Sequence, residues 1–443
     1  MLPLSRLSVM SSRRAFSSAL SKALQMTTRS DLKDYTSFFT ERSARRQPSA
    51  IRSLAPLMAL PGMISLGGGN PHPSTFPFVG MSFTLRNGEV ITVSEEDAAL
   101  GLQYSPTNGL PGLVSWLKDL QTTEHKPPCG ADFDICVGNG SQDVLTKAFD
   151  MLLDGNSTLL CEAPAYVGSL AFLRPIGCKF AEIPSDSDGL NPDALEATLS
   201  SWSETQGPRP RVLYSVPIGG NPTGCSTTLA RKKHIYEIAC KYDILILEDD
   251  PYYYLQFADT RTPSYFSMDT QQRVLRFDSF SKILSAGVRV GWVTGPKPLV
   301  ERIVLHSQAS ILHASGMSQL MVMKLLQKWG IQGFLEHTVG VSQFYKEKGA
   351  FFLECASRHL KGLAEWVEPN AGMFVWIKLN GIRDSSSLIK TKAMEKKVLM
   401  VPGFEFFPNP RETPYVRASF STATKEQIEE ACVRLAELIR EEQ

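Results

Sequence analysis

The sequence predicts an α/β protein in which a mostly parallel sheet, covered on both faces, forms a large domain and a smaller α+β domain follows it. Short apolar runs alternate with segments of helical period between residues 96 and 300. Such alternation is typical of βαβ units, which build parallel sheets. Beyond residue 344 a helix, four strand-like stretches and a last helix form a different pattern. A chain of 443 residues is long enough for both domains.

The composition is that of an ordinary globular protein. Hydrophobic residues make up 43% and charged residues 21%, and 46 Lys and Arg against 45 Asp and Glu leave a net charge of +1. This balance gives no overall electrostatic attraction for nucleic acid, so small-molecule chemistry is favoured. The eight cysteines contain no C-x-x-C pair, which predicts reduced thiols rather than a disulfide framework.

The first thirty residues differ from the rest of the chain. They contain no Asp or Glu, and five Lys or Arg residues stand among many serines. This composition is typical of a mitochondrial transit peptide and predicts a matrix protein, with a disordered basic leader as the alternative. Initiation at Met26 would remove most of this targeting segment and leave a cytosolic form. No later segment offers the roughly 18 uncharged apolar residues of a membrane helix, so we expect no membrane partner.

The remaining elements follow in order. Residues 31–95 are rich in Pro, Gly and Ser and predict an extended arm. The large domain is expected over 96–330, with strands at 133–138, 158–162, 212–216, 244–248, 273–277 and 290–294, a helix through 227–241, and one long or two consecutive helices over 298–329. The small domain is expected over 331–443, with strands at WVEP, MFVWIKL, VLMVP and YVRASF. Its last helix begins with a capping box of Thr424 and Gln427.

Polar residues follow the predicted strands of the large domain. In an open parallel sheet, ligands bind beyond the carboxyl ends of the strands. The segments there are GNGSQ at 138–142, EAPAY at 162–166, GNPTG at 220–224, DDPY at 249–252 and DSFSK at 278–282, with Arg289 seven residues on. They supply an anion site at a helix start, an amide, an acid, a phenol, hydroxyls, a lysine and an arginine. Pyridoxal 5′-phosphate requires this set: a lysine for a Schiff base, an acid for the pyridine nitrogen, and donors for the phosphate.

The same motifs carry a family resemblance. GSQ, PxYxG, NPTG, EDDPYY, SFSK and RVGW resemble the class I aminotransferases of pyridoxal-phosphate fold type I. SLGGGNP at 65–71, QYSP at 103–106 and RASF at 417–420 are similar to the kynurenine/2-aminoadipate aminotransferase branch. The resemblance runs from about residue 38 to the end. It implies a homodimer with shared active sites that transfers the amino group of L-kynurenine or L-2-aminoadipate to 2-oxoglutarate by a ping-pong mechanism, giving kynurenate or 2-oxoadipate and glutamate.

The resemblance also implies roles for individual residues. Lys282 would form the Schiff base and move the Cα proton, Asp249 would pair with the pyridinium nitrogen, and Tyr252 would donate to the cofactor phenolate. Asn221 would share that oxygen and Tyr166 would stack on the ring. The residues expected at the phosphate are Ser141, Gln142, Ser279, Ser281, Arg289 and, from the neighbouring subunit, Tyr104.

A second group of residues is expected to bind the substrate. Arg417 would grip the α-carboxylate through two parallel hydrogen bonds, which a lysine cannot supply. Arg52 on the arm would engage the distal carboxylate of a dicarboxylic partner. Gly69, Asn221 and Tyr166 would complete the substrate site. Asn70 and Gly67 depart from what the resemblance leads us to expect, so the range of amino donors stays open.

Other functions were weighed against this one. The G-x-G at 138–140 suggests dinucleotide binding, but Asp143 replaces the third glycine of that fingerprint. A transcription regulator with an aminotransferase-like domain would need an N-terminal winged helix, for which the arm has no room. A β-lyase, or a broad-specificity aromatic or methionine aminotransferase of the same fold, remains open. The scattered histidines lack the spacing of metal ligands, so no metal is expected.

Overall fold

The computed structural model describes residues 34–443 except 55, 56, 58, 59, 65 and 131. The transit peptide predicted at 1–30 therefore lies outside the described residues. The chain divides into two units, Met1–Ser37 and Phe38–Gln443. In the described part of the first, the Asp34 carboxylate accepts hydrogen bonds from the backbone N–H and the hydroxyl of Thr36.

A hairpin interrupts the segment for which the composition predicts an extended arm. Helix α1 spans Glu41–Ala44, and strands β1 (Met81–Thr84) and β2 (Val90–Val93) pair antiparallel. Gly88 has a φ of 86° at the turn between them, a left-handed conformation that glycine adopts without steric cost. The prolines and glycines around this short alternating stretch obscure its strand pattern in the sequence.

An eight-stranded sheet forms the centre of the molecule. Its strands are β3 (Asp134–Asn139), β4 (Thr158–Ala163), β5 (Lys179–Asp186), β6 (Gly189–Leu190), β7 (Val212–Ser215), β8 (Leu245–Asp249), β9 (Val274–Ser279) and β10 (Val290–Gly295). The order across the sheet is β3-β10-β9-β8-β7-β4-β5-β6. The central strands from β9 to β5 are parallel, whereas β10 runs antiparallel to both of its neighbours. The α/β class is confirmed, and the sheet is mixed at its edges.

Helices connect and cover these strands. They are α2 (Glu95–Leu102), α3 (Pro111–His125), α4 (Ser141–Leu152), α5 (Val167–Ile176), α6 (Pro192–Ser200), α7 (Leu229–Lys241), α8 (Lys297–Ser310) and α9 (Gly316–His359). Helix α4 packs on β3 and β10. The 298–329 segment thus contains two helices rather than one, and Gly330 interrupts α9 with a non-helical backbone.

A second, antiparallel sheet follows in the C-terminal part. Its strands β11 (Ala364–Trp366), β12 (Phe374–Leu379), β13 (Val401–Pro402) and β14 (Tyr415–Ser419) lie in the order β11-β12-β14-β13. Helices α10 (Ser385–Lys390), α11 (Lys392–Glu395) and α12 (Lys425–Arg440) complete this part, and α12 begins with the expected capping box. The strand expected at WVEP ends at Trp366, because Pro369 has no N–H to donate to a sheet.

The described chain lacks some features that would point to other kinds of protein. Among the described residues, no helix is both long and apolar enough to cross a bilayer. Within the same residues, no three His, Cys, Asp or Glu side chains come together as a metal site would require. All eight cysteines lie in the described part and are free thiols.

Candidate active site

A cavity of about 350 Å³ lies at the carboxyl ends of the central strands. This volume falls in the range of small-molecule sites. The cavity brings together most of the residues for which the sequence predicts a role. Those residues are Ser141, Gln142, Tyr166, Asn221, Asp249, Tyr252, Ser279, Ser281, Lys282, Arg289 and Arg417.

The antiparallel direction of β10 explains how Arg289 reaches this edge. Val290 pairs with Asn139 at the end of β3, and Gly291 pairs with Ser279 at the end of β9. Arg289, directly before β10, therefore lies where its neighbouring strands end. Its guanidinium donates to the Ser281 hydroxyl at 3.3 Å and to the Asn139 carbonyl at 3.2 Å.

The start of α4 adjoins this guanidinium and forms an anion site with it. Gly140 is the N-cap residue, with a φ of 87° and no side chain to cap the helix. A Cβ at this position would collide with Nη2 of Arg289. The positive end of the helix dipole, the hydroxyls of Ser141 and Ser281 and the Arg289 cation thus face one side of the cavity, where a phosphate dianion would be stabilised.

Lys282 follows β9 in a short 3₁₀ turn, Phe280–Lys282, whose start is fixed by the Ser279 hydroxyl accepting from the Ser281 N–H at 3.1 Å. Burial lowers the pKa of the Lys282 ammonium, and the charges of Arg289 and Arg417 lower it further. The neutral amine, which is the nucleophile and the proton acceptor, therefore forms at a lower pH than in an ordinary lysine.

Asp249 is the last residue of β8 and is only 4% exposed. Burial raises the pKa of its carboxyl to about 7, and the negative charges of Asp250, Asp278 and Glu162 act in the same direction. A hydrogen bond at 2.9 Å from the Tyr214 hydroxyl opposes this shift. A buried carboxyl of this kind gains most from a cationic partner in the cavity, because the partner would favour its ionised form.

Arg417 lies on β14 opposite Trp376 of β12. Its Nη1 donates to Oδ1 of Asn221 at 2.9 Å, and its guanidinium carbon lies 4.5 Å from the centre of the Phe374 ring. Its buried Nε has no hydrogen-bond partner among the described residues. An unpaired buried N–H is costly, so a carboxylate ligand would complete this site.

Three residues expected at the site do not line the cavity. Arg52 donates from Nη1 to the carbonyl oxygen of Ser105 at 2.9 Å. Tyr104 is 52% exposed, and its ring packs edge-on against His313. Gly69 is exposed, and a Cβ there would meet no atom within 4 Å.

Comparison with known proteins decides the family. The family model for "Aminotransferase class I and II" matches residues 84–435, most of the chain. The chain belongs to this family.

Relatives of this aminotransferase match it over almost their whole length. The mitochondrial kynurenine/alpha-aminoadipate aminotransferase of Mus musculus is 46% identical, and the match covers 92% of this chain and 99% of the relative. Among solved structures, aminotransferase Aro8 from Candida albicans superposes with a TM-score of 0.84 at 27% identity, covering 93% and 99% of the two chains. The kynurenine aminotransferase of Pyrococcus horikoshii, solved with PMP, has a TM-score of 0.72 at 28% identity, covering 92% and 98%.

The chain is a pyridoxal-phosphate-dependent aminotransferase of fold type I. Its cavity fits the cofactor, because its lining includes the anion site at the start of α4, the buried acid Asp249 and the amine of Lys282. The dinucleotide-binding and transcription-regulator alternatives are wrong, because an enzyme of this family matches 92% of the chain.

Several residues at the site are not predicted by the sequence motifs. Phe374, Val216, Pro251 and Ala286 also line the cavity, and the Tyr214 hydroxyl reaches Asp249 from behind it. A hydroxyl in the apolar strand VLYSV at 212–216 is a signal for Tyr214, but its partner depends on strand order, which the local sequence does not encode. Ser169, which donates to the Tyr214 hydroxyl at 2.8 Å, gives no comparable signal in the sequence.

Proposed function

We propose that this aminotransferase moves the amino group of L-kynurenine or L-2-aminoadipate to 2-oxoglutarate and forms glutamate with kynurenate or 2-oxoadipate. The observation that carries the proposal is that Lys282, Asp249 and Arg417 line one cavity, so that an amine, a ring acid and a carboxylate-binding cation meet. The printed name of the Mus musculus relative supports this choice of amino donors.

Lys282, Asp249 and Tyr252 have different roles in the proton transfer. Pyridoxal phosphate, when bound, supplies the aldehyde that takes up the amino group and a ring that accepts electrons from the Cα–H bond. Lys282 Nζ would remove and return the proton at the reacting carbon. Asp249 would hold the cofactor through its pyridine nitrogen. Tyr252, which contacts Asn221, would with it hold the phenolate oxygen.

The remaining residues of the cavity bind and orient. Tyr166 would stack on the cofactor ring, and Ser141, Gln142, Ser279, Ser281 and Arg289, which line the cavity with it, would hold the phosphate. Arg417 binds the substrate α-carboxylate, which Asn221 and the Phe374 ring help to position. The same site accepts amino acid and 2-oxo acid in turn, because both carry that carboxylate.

Arg52 and Gly69, both on the arm, are proposed to bind the part of the substrate that lies beyond the α-carboxylate. Among the described residues, Arg52 donates to the backbone carbonyl of Ser105 and to no carboxylate. Its cation would engage the distal carboxylate of 2-oxoglutarate or 2-aminoadipate and leave when kynurenine binds. Gly69, with no neighbour within reach of a Cβ, lets the arm approach the substrate.

The active enzyme is a homodimer with shared sites. Apolar side chains on and beside the arm are exposed in the single chain, with Ile64 89%, Leu66 97%, Val79 69% and Leu100 54% accessible. Monomeric proteins rarely expose so many neighbouring apolar side chains. Tyr104, which is also exposed, would reach the phosphate of the partner subunit's cofactor.

The protein acts in the mitochondrial matrix, to which residues 1–30 direct it, and initiation at Met26 gives a cytosolic form. The acid-free leader and the word "mitochondrial" in the name of the Mus musculus relative support this location. The chain functions as an arm (31–95), a large cofactor-binding domain (96–330) and a small domain (331–443). The two separate sheets support this division.

A panel of amino donors tests the proposal. Purified enzyme is offered kynurenine, 2-aminoadipate, methionine and aromatic amino acids with 2-oxoglutarate, while glutamate and, for a lyase, ammonia are measured. Glutamate formation should be fastest with kynurenine or 2-aminoadipate. Faster turnover of methionine or of other aromatic donors, or release of ammonia without glutamate, would contradict it and favour the alternatives.

The arm variant Arg52→Ala sharpens the same panel. It should impair 2-aminoadipate and 2-oxoglutarate more than kynurenine, which lacks a distal carboxylate. Arg45→Ala, an exposed arm arginine paired only with Glu41 among the described residues, serves as the matched control.

A further inference from the structure

Tyr214 lies directly behind the acid that faces the cofactor site. In the parallel pair of β7 and β8, Tyr214 is opposite Leu247, two residues before Asp249. Side chains two residues apart share a face of a sheet, so Tyr214 and Asp249 project to the same side. The Tyr214 hydroxyl donates to Oδ2 of Asp249 at 2.9 Å.

Ser169 fixes the direction of that hydrogen bond. Its hydroxyl, at the start of α5, donates to the Tyr214 oxygen at 2.8 Å. A tyrosine hydroxyl carries one proton, so a tyrosine that accepts from Ser169 directs its own proton to Asp249. Both side chains are at most 1% exposed, and the Phe149 ring packs against the Tyr214 ring at 5.4 Å. Bulk water therefore does not replace either hydroxyl.

We propose that Tyr214, oriented by Ser169, is a positioning residue that keeps Asp249 ionised, so that the proton it shares with the cofactor stays on the pyridine nitrogen. The donated hydrogen bond stabilises the carboxylate relative to the acid and makes it a weaker base. It also occupies one carboxylate oxygen, which leaves the other for the cofactor. The inference rests on the role proposed for Asp249.

The surroundings of Asp249 make such a donor necessary. Burial and the charges of Asp250, Asp278 and Glu162 all favour its protonated form. Asp250 and Asp278 are themselves paired with Arg276, at 2.9 and 2.8 Å, and Ser215 donates to Glu162. On the cavity side, Tyr166 and Tyr252 face Asp249 without donating to it among the described contacts. Tyr214 is the side-chain donor that the described structure gives to this carboxylate.

The chain offers a matched control for a Tyr214 variant. Tyr236 is also buried, at 7% exposed, and its hydroxyl also donates to a carboxylate, Oδ1 of Asp269, at 2.9 Å. Neither residue lines the cofactor cavity. Tyr214→Phe and Tyr236→Phe therefore remove the same bond, once behind Asp249 and once elsewhere.

The experiment measures where the proton lies. Holoenzyme is reconstituted with pyridoxal phosphate labelled with ¹⁵N in the ring, and the nitrogen shift is recorded by NMR from pH 6 to 9. The wild type should show a protonated nitrogen, Tyr214→Phe a shift toward the unprotonated form, and Ser169→Ala a smaller shift in the same direction. Tyr236→Phe should match the wild type.

Cofactor affinity gives a second measurement. Titration of the apoenzyme with pyridoxal phosphate should show a dissociation constant at least about tenfold higher in Tyr214→Phe, as expected for losing a hydrogen bond to a charged group. It should show little change in Tyr236→Phe.

A protonated nitrogen in the wild type with no change in Tyr214→Phe or Ser169→Ala would overturn the inference and leave the role of Asp249 intact. An equal change of the nitrogen shift in Tyr236→Phe would mean that the loss of any buried tyrosine hydroxyl has this effect. That result would also overturn the inference. A nitrogen already unprotonated in the wild type would contradict the role of Asp249 itself. If Tyr214→Phe fails to fold, Ser169→Ala, which keeps the tyrosine, decides.

Discussion

Arg417 illustrates how single residues are prepared for a ligand. Asn221 holds one end of its guanidinium, the Phe374 ring lies beside it, and its Nε has no partner among the described residues. Burial lowers the pKa of the guanidinium, yet arginine remains charged at any working pH. Such a group is stabilised when a carboxylate arrives.

Replacing Arg417 by lysine should therefore lower kcat/KM for amino donors about ten- to a hundredfold. One ammonium cannot reproduce two parallel bonds, and a hydrogen bond to a charged group contributes about 1.5–3 kcal/mol. Steady-state kinetics with each donor measure the effect. Arg440→Lys, on the exposed end of α12, is the control, and equal kinetics in the two variants would place the carboxylate site elsewhere.

At this scale the sequence predicts well those residues that stand in motifs. GSQ, EDDPYY and SFSK each place at least two residues in the cavity lining: Ser141 and Gln142, then Asp249, Pro251 and Tyr252, then Ser279, Ser281 and Lys282. It fails for Tyr214 and Ser169, because their partners come from strand order and from the packing of α5. Their roles, like those of the motif residues, remain proposals until variants are measured.

At the scale of elements, the start of α4 is the most sensitive part of the site. Gly140 has a left-handed backbone, and the space that a Cβ would need is filled by Arg289. The positions of three parts of the site therefore depend on one another. These parts are the N-terminus of α4, the Arg289 side chain and the serines Ser279 and Ser281 at the turn after β9.

The variant Gly140→Ala should weaken cofactor binding at least about tenfold, because alanine at this glycine-only backbone conformation costs about 1–3 kcal/mol and Arg289 must move. Titration of the apoenzyme with pyridoxal phosphate gives the dissociation constant. Gly155→Ala, where the nearest atom to a Cβ is 3.7 Å away, is the control. An unchanged affinity in Gly140→Ala would show that the cofactor phosphate does not bind at the start of α4.

Two strands of the sheet end in buried acids, and this predicts how stability depends on pH. Burial raises the pKa of Glu162 at the end of β4 to about 7, as it does for Asp249 on β8. Each of these two carboxyls is therefore more protonated in the folded apoenzyme than in the unfolded chain between its ordinary pKa, near 4, and about pH 7. The stability that each of them contributes falls as the pH rises through this window.

Differential scanning calorimetry of the apoenzyme between pH 4.5 and 7.5 tests this. The change of melting temperature with rising pH should be more positive in Glu162→Gln and Asp249→Asn than in the wild type, since each amide removes one group whose contribution falls with pH. Glu395→Gln, on the short exposed helix α11, should follow the wild type. Parallel curves for all four proteins would show that neither acid titrates as described.

The elements themselves were largely predictable. The six strands expected in the large domain lie within about two residues of β3, β4, β7, β8, β9 and β10. The hairpin of β1 and β2, the strand β5 and the antiparallel direction of β10 were not predicted. Strand direction depends on contacts between distant residues, which local periodicity does not report.

At the scale of the whole molecule, the exposed apolar side chains of the arm require a covering surface. A second copy of the chain provides one in the proposed homodimer, and Tyr104 then serves the partner's active site. Complementation tests this arrangement. The variants Lys282→Ala and Tyr104→Phe should each be impaired alone, because each lacks a group that every site needs.

Mixing the two variants under conditions that allow subunit exchange should restore activity. In a mixed dimer one site has both Lys282 and Tyr104, so random pairing should return about a quarter of wild-type activity per subunit. Light scattering checks that the mixture is dimeric. A mixture no more active than its parts would mean that Tyr104 serves its own chain or neither.

The central claim is that the Lys282 amine binds pyridoxal phosphate covalently, and reduction with borohydride followed by peptide mass spectrometry tests it most directly. The account predicts a yellow protein that is bleached by borohydride and yields one pyridoxyl-modified peptide, with the modification on Lys282. A colourless protein without such a peptide, or a modification on a different lysine, would contradict it.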